Sequence, residues 1–299
     1  MRVIALFGPT AVGKTAIAIA LAERLRRAGE NPVAVSADAL QVYAGLETLT
    51  GAPTAREQER LEHRLVSILA VSETCSAGRY AQLAHAEIDA LLATGRRPIV
   101  VGGTGLYLRA ALSSLDLRPP APAQVRERLL GELRERGLPA LHARLLDHAP
   151  WLASRVDAND AQRVVRGLEL LEIEALRPPE SAGALWSDET RHPTLLVGLT
   201  MDRDALYARI AQRTDEMIAR GAREEVARAH AAGASGTARK ALGFSELLDG
   251  DIEAMKRRTR NYAKRQLTWM RRMTGDSAID ITGRDPGAVA AEILDSAAG

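Results

Sequence analysis

Residues 3–15 read VIALFGPTAVGKT. The apolar run 3–7 predicts a buried β-strand, and the eight residues after it match the pattern G-x-x-x-x-G-K-[ST] of a phosphate-binding loop. Such a loop joins a strand to a helix, and the periodicity of 16–27, with Gly29 past its end, predicts that helix. Its glycines let backbone N–H groups turn toward phosphate oxygens beside the positive end of the helix dipole. We therefore predict a phosphate site near the N-terminus.

The loop predicts the binding group but not the phosphate compound that it binds. Lys14 supplies a point charge, and the hydroxyl of Thr15 is the expected ligand of Mg²⁺. Many nucleotide hydrolases carry an Asp at the end of a second strand, but here the run 99–101 leads into GGTGLY at 102–107, without a carboxylate. Asp38, just past a predicted strand at 32–36, is the nearest equivalent. The predicted phosphate-binding residues are Gly8, Thr10, Ala11, Val12, Gly13, Lys14 and Thr15.

The rest of the chain alternates strand and helix patterns. Further strands are predicted at 32–36, 98–101 and 194–199, which indicates βαβ units and a parallel sheet. Proline clusters at 118–122 and 177–179 bracket a segment with helical periodicity at 125–136, 138–148 and 161–176 and no convincing strand. The predicted fold is α/β: a P-loop NTPase-like parallel sheet flanked by helices (1–117 and 180–299), with a small all-helical insertion domain (118–179).

Composition limits the class of protein. The 299 residues are 46% hydrophobic and 26% charged, as in an ordinary soluble globular protein. A single cysteine, Cys75, cannot form an internal disulfide, which favours a reducing cytoplasm. The N-terminal apolar run is too short for a signal peptide or a membrane span. We expect a cytoplasmic protein with no membrane association, and a monomer, because no long apolar patch or heptad run is present.

One segment is strongly basic. Residues 254–275 read AMKRRTRNYAKRQLTWMRRMTG, with eight Lys or Arg and no acid. Met255, Tyr262, Trp269 and Met273 recur at helical spacing, which predicts a helix with one apolar stripe and a broad cationic face. A solvated surface helix is the alternative. The missing acids favour a phosphate-rich partner, most simply nucleic acid.

These motifs together resemble the tRNA dimethylallyltransferases (tRNA isopentenyltransferases). A phosphate loop alone is shared by many families, whereas the ordered set, above all GGTGLY with KRQLTW, is specific. The resemblance runs over nearly the whole chain and rests on GPTAVGKT at 8–15, SADALQVY at 36–43, a weak TGAPT at 50–54, HRLVSI at 63–68, CSA at 75–77, PIVVGGTGLYL at 98–108, NDAQRVVRGLE at 159–169, DRDALYARIAQRTDEM at 202–217 and KRQLTWMR at 264–271.

The resemblance implies transfer of a dimethylallyl group from dimethylallyl diphosphate to N6 of adenosine-37, 3′ to the anticodon of tRNA. Asp38 would be the base, Thr104 would lie near the reacting groups, and Arg203 and Arg209 would bind diphosphate. Thr104 could instead cap a helix, and the two arginines could be surface residues. The implied contacts to the tRNA anticodon stem-loop are Asp38, Ala39, Leu40, Gln41, Thr104, Arg126, Gln162, Arg163, Arg166, Lys264 and Arg265.

Elementary chemistry asks for the same groups. The lone pair of adenine N6 is delocalised, so the reaction depends on stabilising the departing diphosphate with cations and on one base near N6. An adenine stacked in the anticodon loop must also turn out of its stack to reach a buried diphosphate. The basic segment and the insertion would then bind the RNA backbone.

The sequence departs from the family pattern at three places. Ala39 stands where Ser is frequent, 49–53 lacks a lysine of a Gly-Thr-Ala-Lys-Pro element at Ala52, and Ser67 occupies a commonly acidic position. Two other functions stay open: a small-molecule or nucleotide kinase that binds ATP, and a non-catalytic, nucleotide-gated RNA-binding module. Against the kinase stand the basic segment and the lack of an arginine-rich lid, and the binding module leaves Asp38 without a role.

Overall fold

The computed structural model describes residues 2–115, 117–178, 189–274 and 278–298. In chain order its helices are α1 (Lys14–Arg27), α2 (Glu47–Thr50), α3 (Ala55–Arg60), α4 (Ala77–Ala93), α5 (Gly105–Leu112), α6 (Ala123–His148), α7 (Pro150–Ala153), α8 (Ala161–Glu172), α9 (Arg203–Ala219), α10 (Ala222–Ala231), α11 (Phe244–Asp249), α12 (Ile252–Thr274) and α13 (Pro286–Ala298), with a 3₁₀ turn at Ala238–Lys240.

One parallel sheet organises the larger part of the chain, as the strand–helix alternation predicts. Its order is β3-β2-β4-β1-β5-β6. β1 lies in the middle and is buried along its whole length, which explains its unbroken apolar sequence. The strands are β1 (Val3–Phe7), β2 (Pro32–Ala37), β3 (His63–Arg64), β4 (Arg97–Gly102), β5 (Thr194–Thr200) and β6 (Ala278–Asp280).

Helices cover the sheet. α1, α9 and α13 build an aliphatic core with one side of β1, in which Leu6, Ile17, Leu21, Ile210 and Ile293 are buried. α4 and α5 pack on β2 and β4, and α12 packs on β5. In the part of the chain that the structure describes, no helix combines the length and the apolar character needed to cross a lipid bilayer.

The chain divides into two compact units. Met1–Leu115 together with Leu185–Gly299 form the first, and Asp116–Ala184 form the second. The predicted boundary at 179–180 lies outside the described residues. Within its described range, 117–178, the second unit consists of α6, α7 and α8 without a strand.

The second unit has its own core. Leu129, Leu141, Leu145, Val164 and Leu168 are buried together there. The two helices predicted at 125–136 and 138–148 are both present within the range of α6, separated by non-helical backbone at Gly137 (φ 76°, ψ 164°). α8 ends at Glu172, four residues before the end predicted at 176. Just beyond the helix, Glu174 adopts a left-handed conformation.

Candidate functional site

Three loops leave the sheet at the same level. Phe7 of β1 pairs with Gly102 of β4, and Gly102 pairs in turn with Ala37 of β2. Because the strands are parallel, the residues after them emerge side by side at the carboxyl edge. The phosphate loop, Asp38 and the 103–104 turn are therefore adjacent, at the place where parallel sheets bind ligands.

The phosphate loop positions Lys14 at the first turn of α1. The Lys14 Nζ donates hydrogen bonds to the carbonyl oxygens of Gly8 (2.9 Å) and Pro9 (2.8 Å). Burial, followed by the positive charge of Arg213, lowers the pKa of Lys14 to about 7, and the Asp38 carboxylate opposes this shift. The amine is thus placed to gain a proton when an anion arrives beside it.

Asp38 is fixed by a turn of its own. Its Oδ1 accepts a hydrogen bond from the backbone N–H of Leu40 at 2.9 Å. The negative charge of this half-buried carboxylate favours the charged form of Lys14. Burial and, after it, the charge of Asp38 raise the pKa of Tyr262 to about 12. The charge of Asp38 therefore acts on both the phosphate loop and α12.

Two arginines of α9 face the loops, and one of them, Arg213, was not predicted from the sequence. The guanidinium of Arg209 lies 3.4 Å from the point that a Cβ on Gly13 would occupy. Arg213, one helical turn later, donates to the carbonyl of Gly51 at 3.3 Å. A Cβ on Gly51 would lie 1.7 Å from that guanidinium, and the backbone φ of +59° at Gly51 also favours glycine.

Burial lowers the pKa of Arg213, and the Asp38 carboxylate opposes that change. Arg213 thus joins the cationic group at the phosphate loop. The i, i+4 spacing from Arg209 was the available signal, because such residues share a helix face. Arg203 is three-quarters exposed and pairs with Asp204 at 3.3 Å, so its role in diphosphate binding stays a prediction.

Thr104 precedes α5, but its side chain makes no capping hydrogen bond. Its hydroxyl instead forms a 2.8 Å hydrogen bond with the hydroxyl of Tyr262 on α12. The guanidinium of Arg265 lies over the Tyr262 ring, 5.6 Å from its centroid. Thr104 is thus linked to the basic helix.

Residues 41–273 match the model of the IPP transferase family. The chain belongs to this family. It is 42% identical over 285 residues to a tRNA dimethylallyltransferase of Anaeromyxobacter sp. (strain Fw109-5), covering 92% of this chain and 93% of the relative. It is 40% identical over 283 residues to that of Streptomyces griseus, covering 91% and 88%.

Solved structures agree with this assignment. The full-length tRNA isopentenylpyrophosphate transferase from Bacillus halodurans aligns over 100% of this chain and 96% of its own, with a TM-score of 0.71 and 33% identity. The fold is shared with a eukaryotic dimethylallyltransferase, described as acting on tRNA, at a TM-score of 0.76 and 24% identity, over 99% of this chain and 77% of that one. The predicted α/β fold and family are confirmed.

In this IPP transferase, the predicted RNA contacts after β2 form an ordered loop. Ala39 and Leu40 are half-buried. The side chain of Gln41 accepts a hydrogen bond from Ser36 at 2.8 Å and donates to the carbonyl of Gly51 at 3.2 Å. The loop is therefore tied to the turn that Arg213 also contacts. On α12, Lys264 and Arg265 are exposed, as contacts to phosphate require.

The predicted RNA contacts of the second unit fall into two groups. Arg126 and Arg166 both pair with the buried carboxylate of Glu169, at 2.6 and 3.1 Å. Gln162 and Arg163 are exposed in the first turn of α8. The Glu169 carboxylate holds Arg126 and Arg166 in place, whereas the exposed guanidinium of Arg163 pairs with Asp160 at 3.3 Å. The four predicted contacts to tRNA stay predictions.

Two departures from the family pattern have a place in this structure. The Ser67 hydroxyl donates to Oε1 of Glu47 at 2.7 Å. Ala52 is buried, next to the glycine whose carbonyl accepts a hydrogen bond from Arg213. Nothing in the structure explains Ala39.

Among the described residues, no three His, Cys, Asp or Glu side chains cluster as a metal site would require. A donor available to a cation at the phosphate loop is the hydroxyl of Thr15, a half-buried residue and the second of α1. Mg²⁺ is commonly bound through few protein oxygens together with phosphate oxygens and water. The chemistry of this site therefore fits a magnesium ion that arrives with a diphosphate.

Proposed function

We propose that this IPP transferase moves the dimethylallyl group from dimethylallyl diphosphate to N6 of adenosine-37, 3′ to the anticodon of tRNA. The products are N6-(dimethylallyl)adenosine and diphosphate. The observation that carries the proposal is the placement of one carboxylate, Asp38, beside the phosphate loop: β1, β2 and β4 end at the same level of the sheet, so Asp38 follows β2 next to that loop. The charge of Asp38 also favours the charged forms of Lys14 and Arg213. The names of the relatives support the same reaction.

The cations act on the leaving group. The C1–O bond of the donor breaks and its electron pair leaves with the diphosphate, whose growing charge needs donors already in position. Lys14, Arg209 and Arg213 supply positive charge, and the N–H groups of the phosphate loop add partial charges at the start of α1. Because these groups are held in place before reaction, little reorganisation accompanies the bond cleavage.

Asp38 acts on the acceptor. As the lone pair of N6 forms the new bond to C1, an N6 proton becomes acidic and passes to the Asp38 carboxylate. General-base catalysis of this kind contributes about 10² to 10⁴ in rate. The Thr104 hydroxyl, held by Tyr262, is placed to hydrogen-bond near the reacting amine or the diphosphate.

Mg²⁺ would be held through Thr15 and the diphosphate oxygens, and when bound it neutralises charge on the leaving group. The RNA backbone would be held by the exposed cations of α12 and by Gln162 and Arg163. The target adenine then turns out of the anticodon loop to reach Asp38. One chain supplies every group named, so we expect activity from a monomer. The single cysteine favours a reducing compartment, which we take to be the cytoplasm.

The test is an incubation of the full chain with Mg²⁺, unmodified tRNA and either labelled dimethylallyl diphosphate or γ-labelled ATP. Label on the RNA from the first donor, located at N6 of adenosine-37 by nucleoside digestion and mass spectrometry, supports the proposal. Phosphoryl transfer to a small acceptor would replace it with a kinase. RNA retention without any transfer would replace it with a binding module.

A further inference from the structure

Gln266 is a buried polar residue on the inner face of α12, where the other buried residues, Met255, Ala263 and Met270, are apolar. Its side chain is 4% exposed. The Gln266 Nε2 donates to the carbonyl of Gly103 at 2.7 Å, and its Oε1 accepts from the backbone N–H of Thr10 at 2.8 Å. One amide group therefore bonds to the phosphate loop and to the loop that carries Thr104.

The Gln266 amide is closely packed against the backbone at Gly103. A Cβ on Gly103 would lie 2.4 Å from the Gln266 Nε2 and 3.3 Å from the Lys14 Nζ. One turn further along α12, Trp269 fills the space in front of Gly105, where a Cβ would lie 2.2 Å from its ring. The two glycines let α12 approach the loop, which places Gln266 next to the amine of the phosphate loop.

Burying an amide costs free energy unless its polar atoms are paired, and an apolar residue here would avoid that cost. The amide supplies what an apolar residue lacks, namely one donor and one acceptor aimed at two different loops. Each of those loops carries a residue with a proposed role in the reaction. Lys14, on the phosphate loop, would bind the diphosphate, and Thr104, on the 103–104 turn, would lie near the acceptor amine.

We infer that Gln266 is a positioning residue that fixes the phosphate loop and the 103–104 turn at one separation. The inference rests on the proposed function. Gln266 acts through backbone groups on either side of the reaction. Its effect is on the distance between C1 of the donor and the attacking amine, to which rates are sensitive: a misplacement of about 1 Å can cost about 10²-fold.

Two substitutions separate positioning from simple stability. Gln266→Met keeps the length of the side chain and removes both hydrogen bonds. We expect the Kd for inorganic diphosphate to rise about tenfold and the kcat of prenyl transfer to fall by tenfold or more. The KM for tRNA should change less than about threefold, because the exposed cations of α12 remain. Both are measured well below the Tm of the variant.

Gln266→Glu keeps the shape and makes the polarity depend on pH. Ionised, the new carboxylate accepts from Thr10 but repels the carbonyl of Gly103 and the diphosphate. Protonated, it again offers one donor and one acceptor. Burial and a bound diphosphate raise the pKa of such a carboxyl, and the positive charge of Lys14 opposes that shift. We compare the kcat of Gln266→Glu with that of wild type at each pH. We expect this ratio to be low at pH 8 and to recover at pH 6. Gln266→Met should show no recovery.

Gln82→Glu, at an exposed site on α4, is the matched control and should equal wild type at both pH values. If Gln266→Met loses thermal stability but keeps the wild-type Kd and kcat, the residue is merely structural and the inference is overturned. A Gln266→Glu variant that equals wild type at pH 8, where the ionised carboxylate has no proton to donate to Gly103, overturns it as well. If the wild type binds diphosphate and transfers no prenyl group, the proposed function fails. The Kd values for inorganic diphosphate of wild type and Gln266→Met still test the role of Gln266 in that case.

Discussion

At the scale of single residues, the carboxylate of Asp38 carries the proposed proton transfer. Asp38→Asn keeps the side-chain shape and removes the base. The amide can still accept a hydrogen bond from the N–H of Leu40, so the turn is retained. We expect kcat to fall about 10²- to 10⁴-fold with the Kd for inorganic diphosphate within a few-fold of wild type.

The matched control for this substitution is Asp249→Asn, which makes the same chemical change at an exposed position at the end of α11. Rapid-quench measurement of prenyl-tRNA formation separates the chemical step from product release. Wild-type kcat in Asp38→Asn would show that another group takes the proton.

Lys14 makes diphosphate binding depend on pH. Burial and Arg213 lower its pKa to about 7, and a bound diphosphate favours the charged amine and raises that pKa again. Above pH 7 binding therefore takes up a proton. The affinity of wild type relative to Lys14→Met should fall by up to about tenfold per pH unit above 7, since one proton is linked to binding.

Comparing the two proteins at each pH cancels the titration of diphosphate itself. Isothermal titration calorimetry in buffers of different ionisation enthalpy should show that wild type takes up more protons than Lys14→Met at pH 8. A ratio of affinities that stays constant from pH 6 to pH 9 would contradict the assignment.

At the scale of elements, the two faces of α12 have different roles. Its inner face contacts the phosphate loop through Gln266, and its outer face exposes Lys264 and Arg265. Changing both cations to Ala should weaken tRNA binding and reduce the slope of log K against log salt by about 1 to 2, because each phosphate contact releases counterions. Filter binding across a salt series measures this.

Arg223→Ala with Arg228→Ala removes the same charge from exposed positions of α10 and serves as the control. Its salt slope should match wild type. Equal losses in the two double variants would mean that overall charge, and not the face of α12, governs binding.

The sequence predicted the elements whose signal is local. The apolar runs located β1, β2, β4 and β5, and the spacing of the basic segment located α12 within two residues. β3 and β6, with two and three residues, are too short to produce a pattern. The same limit applies to the site: the motif predicted Lys14, whereas Arg213 and Gln266 matter through carbonyls and N–H groups that only the fold brings to them.

At the scale of the whole molecule, each unit has a core of its own, and the phosphate site is built within the first. Leu145 is buried in the second core and packs against Gly167. Leu145→Ala should cost that unit about 2–5 kcal/mol by leaving a cavity. We expect faster tryptic cleavage within α6–α8 and a higher KM for tRNA, with diphosphate affinity within about twofold of wild type.

Leu21→Ala makes the same truncation in the core of the first unit and should do the reverse. It lies in α1, behind the phosphate loop, so the loss of packing reaches the residues that bind diphosphate, while α6–α8 keep their resistance to trypsin. Calorimetry and timed proteolysis of both variants provide the comparison. If Leu145→Ala weakened diphosphate binding as much as Leu21→Ala does, the two cores would unfold as one cooperative unit, and the insertion could not be assigned to the RNA side of the reaction alone.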